Sequence, residues 1–146
     1  MDPQYDAGKF LLATKLLHFA LVSGLLLFGL IALIISFKQL SFTPALDNPL
    51  VWIAGLGCIG SIVVALLMFP VYRRITPAPD NVRSALQHYQ AFCLMRWAVI
   101  EGGALFSAIV FIITKNILPL GLFIASVILL ICFYPSRKQF ITVTKR

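Results

Sequence analysis

The segment Arg96-Trp-Ala-Val-Ile-Glu-Gly-Gly-Ala-Leu-Phe106 sets an arginine, a carboxylate and two adjacent glycines inside a largely apolar run from Ala91 to Ile113. Glu101 is the only glutamate in the chain. A charged side chain at the centre of a bilayer costs about 2.5–3.5 kcal/mol on insertion scales, so its presence needs a reason. Two kinds of chemistry are open to it. A carboxyl that stays neutral, or is hydrogen-bonded to His18, Ser23 or Ser61, locks helices together. A carboxyl facing a polar cavity instead binds and releases a proton or a cation. Arg96 stands five residues earlier, which on a helix is about 7.5 Å of rise and about 140° of rotation, so the two do not pair within one helix. Arg96 therefore reads as an interfacial anchor, its long side chain reaching lipid phosphates beside Trp97 in the aromatic belt.

Other chemistry is harder to assemble. The two histidines, His18 and His88, and the scattered acids offer no nucleophile with a base and an orienting partner, so no enzymatic activity is expected. Cys58, Cys93 and Cys132 lie in apolar segments without a C-x-x-C pair or zinc-like spacing, and read as small core residues; no metal or cofactor is implied. Gly55-Leu-Gly57-Cys-Ile-Gly60 matches G-x-G-x-x-G, but no strand precedes it and no βαβ unit fits these apolar runs, so a dinucleotide site is not expected.

The elements that must position these residues follow from composition. Of 146 residues, 60% are hydrophobic and 12% charged, and the mean hydropathy is +0.97, well outside the range of soluble domains, where about a quarter of residues are charged. The formal charge of +7 sits at the ends of apolar runs and suits anionic headgroups rather than nucleic acid. Apolar runs at about 16–37, 50–69, 90–114 and 117–134 predict four transmembrane helices. The first reads as a retained helix and not a cleaved signal, because no early basic cluster or A-x-A site accompanies it. Asn48-Pro49 predicts the start of the second helix, Asp80 or Asn81 an amphipathic lead into the third, and Lys115-Asn116 a tight turn into the fourth, with Pro119 tolerated in its first turn. Between helices two and three, residues 71–81 form a linker in which Pro77 and Pro79 forbid a regular helix. Nine of the twelve Lys and Arg residues fall on the side of the termini and this linker, against Lys38 and Lys115 on the other, which places both termini in the cytoplasm.

Helix packing has its own signature. Ala54, Gly57, Ser61 and Ala65 recur every three or four residues and, with Gly102 and Gly103, predict close helix approach. Shifting the chain by 78 positions aligns His18–Ile35 with Arg96–Ile113 at seven identical positions, Ala20, Gly24, Leu27 and Phe28 among them. A second match pairs Phe69-Pro70 with Tyr134-Pro135. Tandem duplication of a two-helix hairpin, in parallel orientation, and convergence of membrane helix ends are both open. Under duplication Ser23 is the first half's counterpart of Glu101.

The third-helix string R-W-A-V-I-E-G-G-A-L-F, with Tyr89-Gln90 before it and Thr114-Lys115-Asn116 after it, resembles a group of uncharacterised small four-helix bacterial inner-membrane proteins over about two helices. The resemblance implies location and architecture and no particular activity. The E-G-G-A-L-F helix beside a glycine-rich helix also looks like the hairpin of rotary-ATPase proteolipids, although that family carries its carboxylate in the hairpin's second helix and here it is in the first. The resulting expectation is an all-α four-helix bundle in a bacterial inner membrane, with lipid as its solvent. Its expected role is packing with a second copy or a membrane partner; the alternative is a small proton-coupled or cation-conducting transporter using Glu101.

Overall fold

In a computed structural model, which describes residues 3–40, 46–75 and 81–136, the chain is an all-α bundle with no strand among the described residues. Helix α1 is Pro3–Ser36, α2 Pro49–Ile75, α3 Val82–Thr114 and α4 Ile117–Cys132, with a short 3-10 turn, Phe37–Gln39, after α1. Three segments, Gly8–Gln39, Pro49–Tyr72 and Arg83–Thr114, are long and apolar enough to cross a membrane. The expected fourth span is shorter than predicted. Helix α4 has 16 residues and stops two residues before Tyr134, about 24 Å of helix against a hydrocarbon core of about 30 Å.

Local signals set the helix ends. Asn48 Oδ1 accepts the Leu50 N–H at 2.9 Å and Pro49 opens α2, where its missing N–H is not needed. Asn81 Oδ1 accepts from Ser84 N–H at 2.8 Å to start α3. Lys115 ends α3 in a left-handed conformation, φ 54°, its N–H donating to Phe111 O at 2.8 Å. Asn116 then caps α4 by accepting from Leu118 N–H at 3.0 Å. Because Asn116 is buried, Asn116→Ala is expected to cost about 1 kcal/mol of stability, read as a lower midpoint of thermal unfolding in detergent, with Asn116→Asp close to wild type.

Two boundaries differ from expectation. Helix α1 begins at Pro3, well before residue 16, and α2 runs through Pro70 to Ile75, into the predicted linker. Proline removes one backbone hydrogen bond from α2, which the membrane-facing helix tolerates. Beyond it, the Tyr72 hydroxyl donates to His88 O at 2.8 Å and its ring lies 5.2 Å from that of Phe92, so α3 holds the overrun in place. Pro77, Pro79, Asp80, the residues Ser41, Thr43 and Pro44 between the first two helices, and the basic residues Arg137, Lys138, Lys145 and Arg146 lie outside the described residues.

Helix α3 is the centre of the bundle and packs most extensively on α2, then α4, then α1. Small residues set the approach. A Cβ at Gly103 would meet the Ser61 side chain and come within 3.6 Å of Cys58 Cα, so α2 and α3 cross there. A Cβ at Gly29 of α1 would run into the Phe123 ring of α4. Ala54, Cys58 and Ala65 are fully buried on the α2 seam, whereas Gly57 is exposed, with the Phe106 ring 3.6 Å from where its Cβ would stand. Gly102, expected to share in close packing, is exposed with nothing within 4 Å.

Helices α1 and α3 lie parallel. His18 meets Trp97 at one end and Ser36 meets Lys115 at the other, both at an offset of 79 residues, next to the 78 of the sequence match. The halves are nevertheless not equivalent hairpins: α3 and α4 pack extensively, while α1 and α2 meet at most marginally. Pro70 also lies within α2, whereas Pro135 lies beyond α4.

Candidate functional site

Where α4 stops short, its carbonyls need donors from elsewhere. The Phe133 N–H is shared between Leu129 O at 3.2 Å and Leu130 O at 3.1 Å, and Pro135 has no N–H to give. Buried backbone groups left unpaired cost free energy, so the non-helical backbone that follows α4 must be satisfied by protein where it is buried. Side chains of α1 and α3 do this. His18 Nε2 lies 2.9 Å from Leu130 O, and since a carbonyl only accepts, Nε2 carries the hydrogen. Trp97 Nε1 donates to Phe133 O at 3.2 Å, and the Tyr89 hydroxyl to Ser136 O at 3.3 Å.

Aromatic and cationic groups complete this end. The His18 ring sits edge-on to Trp97 at 4.8 Å and to Tyr134 at 5.6 Å. Arg96 Cζ lies 3.3 Å from the centroid of the Phe133 ring and 5.9 Å from that of Phe92, and Lys15 Nζ lies 5.5 Å from Tyr134. The positive groups gather at the negative end of the α4 dipole, which they complement. The opposite end repeats the arrangement on a smaller scale: Lys115 Nζ donates to Ser36 Oγ at 3.2 Å at the C-terminus of α1.

Trp97, expected among the headgroups, is 1% exposed and belongs to the core. Its indole N–H is used by the protein, not by the interface. Arg96 is half-buried and stacked rather than extended towards solvent. Phe92 and Phe133 were not singled out by sequence, and Tyr89 and Lys15 were named as part of the lead into helix three and as a basic flank of helix one; Phe133-Tyr-Pro135 followed by basic residues marks a helix end.

The expected constellation around Glu101 is not assembled. His18 is committed to Leu130 O. Ser61 Oγ donates to its own helix at Cys58 O, 2.7 Å away, and faces Gly103; Gly103 is two residues from Glu101, about 200° around α3, so Ser61 meets the opposite side of that helix. Ser23 is exposed on α1, two residues from the buried Leu25 and therefore on the outward side. Among the cysteines, Cys58 and Cys93 are buried as expected, with Cys58 Sγ 3.2 Å from Ser126 Oγ; Cys132 is exposed at the end of α4.

Glu101 itself is half-buried on the edge of α3 that carries Trp97, Ala104 and Ala108, all three buried. Its other neighbours, Ala98 and Gly102, are exposed. Among the described residues no hydrogen bond or ion pair reaches its carboxyl. It lies 13 residues before Thr114, about 20 Å from the C-terminal end of α3, deep within the apolar segment. The arrangement thus has a satisfied polar cluster at one end of the bundle and, one and a half turns further in, a carboxyl without a partner. No protein-family model, curated protein or solved structure matches the chain.

Proposed function

We propose that this membrane protein is a non-enzymatic packing component whose Glu101 edge of α3 docks on a second copy or on another membrane protein. The observation that carries the reading is the Glu101 carboxyl, half-buried within the apolar segment of α3 without a partner among the described residues and flanked by exposed Ala98 and Gly102. Polar groups in membranes pair with one another or face a protein interior, and small residues let helices approach. The asymmetry of Lys and Arg supports cytoplasmic termini. The third-helix resemblance supports a bacterial inner membrane.

Interhelical hydrogen bonds in bilayers contribute about 0.5–2 kcal/mol, roughly 2- to 30-fold in an association constant. Glu101→Leu is therefore expected to weaken assembly by that factor, and Glu101→Gln, which still donates and accepts, to retain most of it. Energy transfer between labelled copies in liposomes, at several protein-to-lipid ratios, measures both. The same unpaired carboxyl also favours a second reading, in which Glu101 carries a proton or cation. Under that reading Glu101 reacts with a carbodiimide in membranes with protection by pH or cations, and Glu101→Gln abolishes proton flux in liposomes. Assembly unaffected by Glu101→Leu, together with loss of flux in Glu101→Gln, replaces the first reading by the second.

A further inference from the structure

The faces and the edges of the Arg96 guanidinium have different surroundings. One face lies on Phe133, Cζ 3.3 Å from the ring centroid, and the Phe92 ring stands 5.9 Å away. Phe92 is itself braced by Phe69 at 6.0 Å and Tyr72 at 5.2 Å on α2. The rings fix the plane of the guanidinium across the inner end of α2, α3 and α4. Its N–H edges, by contrast, meet no acceptor among the described residues, and Nε is buried without a partner. Glu101, the nearest acid along α3, is turned away by about 140°.

The four N–H donors of the two Nη groups, held in that plane and not buried with Nε, are an unfinished binding site. Leaving charge-assisted donors unmade is costly, and the two oxygens of a phosphate match the fork of an arginine in that plane. Arg96 lies 18 residues before Thr114, about 27 Å from the outer end of α3, so it stands at the far boundary of a core of about 30 Å. Phosphate oxygens of the inner leaflet are found at that depth. We propose that Arg96, walled by Phe133 and Phe92, forms a discrete phosphate-binding site at the inner end of the bundle, and that a phospholipid headgroup supplies the phosphate. The site is independent of Glu101. It also differs from a general attraction of basic residues to lipid, because the bond depends on the fork as well as on the charge.

Native mass spectrometry of the full chain in detergent tests this with three probes: phosphatidylglycerol, a diglucosyl diacylglycerol that has no phosphate, and inorganic phosphate. The wild type is expected to retain phosphatidylglycerol and not the glycolipid. Arg96→Gln weakens that retention by about tenfold or more, and Arg96→Lys, which keeps the charge and loses the fork, by severalfold. Arg83→Gln, at an exposed position, leaves it unchanged. Displacement of the lipid by millimolar inorganic phosphate keeps the phosphate site and assigns it to a soluble ligand. Equal retention of the two lipids by the wild type, or unchanged retention in both Arg96 variants, overturns the proposal. If Arg96→Gln does not accumulate, Arg96→Lys carries the test: a lipid preference as strong as the wild type's overturns it.

Discussion

Trp97→Ala is expected to be the most damaging single substitution in the chain, lowering the unfolding free energy by about 3–5 kcal/mol. The indole is 1% exposed and stands where three helices meet, with His18 of α1 on one side and the end of α4 on the other. Two losses combine in the variant. The core loses a large ring with little prospect of collapse around it, and Phe133 O loses its donor where α4 has run out of helical N–H groups. Trp97→Phe separates them: it keeps most of the packing and removes only the hydrogen bond, for an expected cost of about 1–3 kcal/mol. Equilibrium unfolding in mixed micelles reads both variants. Equal stability of Trp97→Phe and wild type would mean that the Phe133 hydrogen bond contributes nothing to stability.

The same cluster shows where a sequence stops being legible. Caps were readable because they are local: Asn48, Asn81 and Asn116 each accept from a backbone N–H two or three residues on, and a short amide side chain before an apolar run signals that geometry directly. The apolar runs were readable for a similar reason, since membrane helices are defined by length and hydropathy. Extents were less secure. Pro70 and the polar residues after it read as a helix end, but the bond between the Tyr72 hydroxyl and His88 O, sixteen residues away, carries α2 onward. Pro135 signalled where α4 ends, but the need for donors from α1 and α3 at that end had no local signal and was hidden. His18 was therefore assigned to the obvious polar residue, Glu101, when its partner is a backbone carbonyl that every residue carries.

Glu101 illustrates the complementary limit. Its importance was evident from residue type alone, because a carboxyl in an apolar run is costly. Its partners depended on rotation about α3 and on which side each neighbouring helix occupies. Ser61 has a depth and spacing that suit Glu101, yet it lies across α2 at Gly103, on the other side of α3. The structure brings together none of the three expected partners, and that absence among the described residues directs attention outside the protomer.

The two adjacent glycines of α3 provide the sharpest way to tell inside from outside. Gly103→Leu is expected to cost about 1–3 kcal/mol or more of protomer stability, because its Cβ alone would meet Ser61 Cβ at 3.0 Å and the Cys58 backbone at 3.6 Å, and the longer side chain has to push α2 away. Gly102→Leu meets nothing within 4 Å in the protomer and is expected to change its stability by no more than about 0.5 kcal/mol. If the exposed Ala98–Gly102 edge docks on another helix, the same Gly102→Leu substitution weakens assembly while leaving the protomer intact, the reverse of Gly103→Leu. Unfolding in micelles and energy transfer in liposomes, applied to both variants, resolve the two effects. The α2–α3 crossing has its own control. Gly103→Ala combined with Ser61→Gly should recover most of the stability that Gly103→Ala loses alone, because the second change removes the side chain that the new methyl would meet. Additive losses in that double variant would mean that Gly103 is required for something other than the closeness of α2.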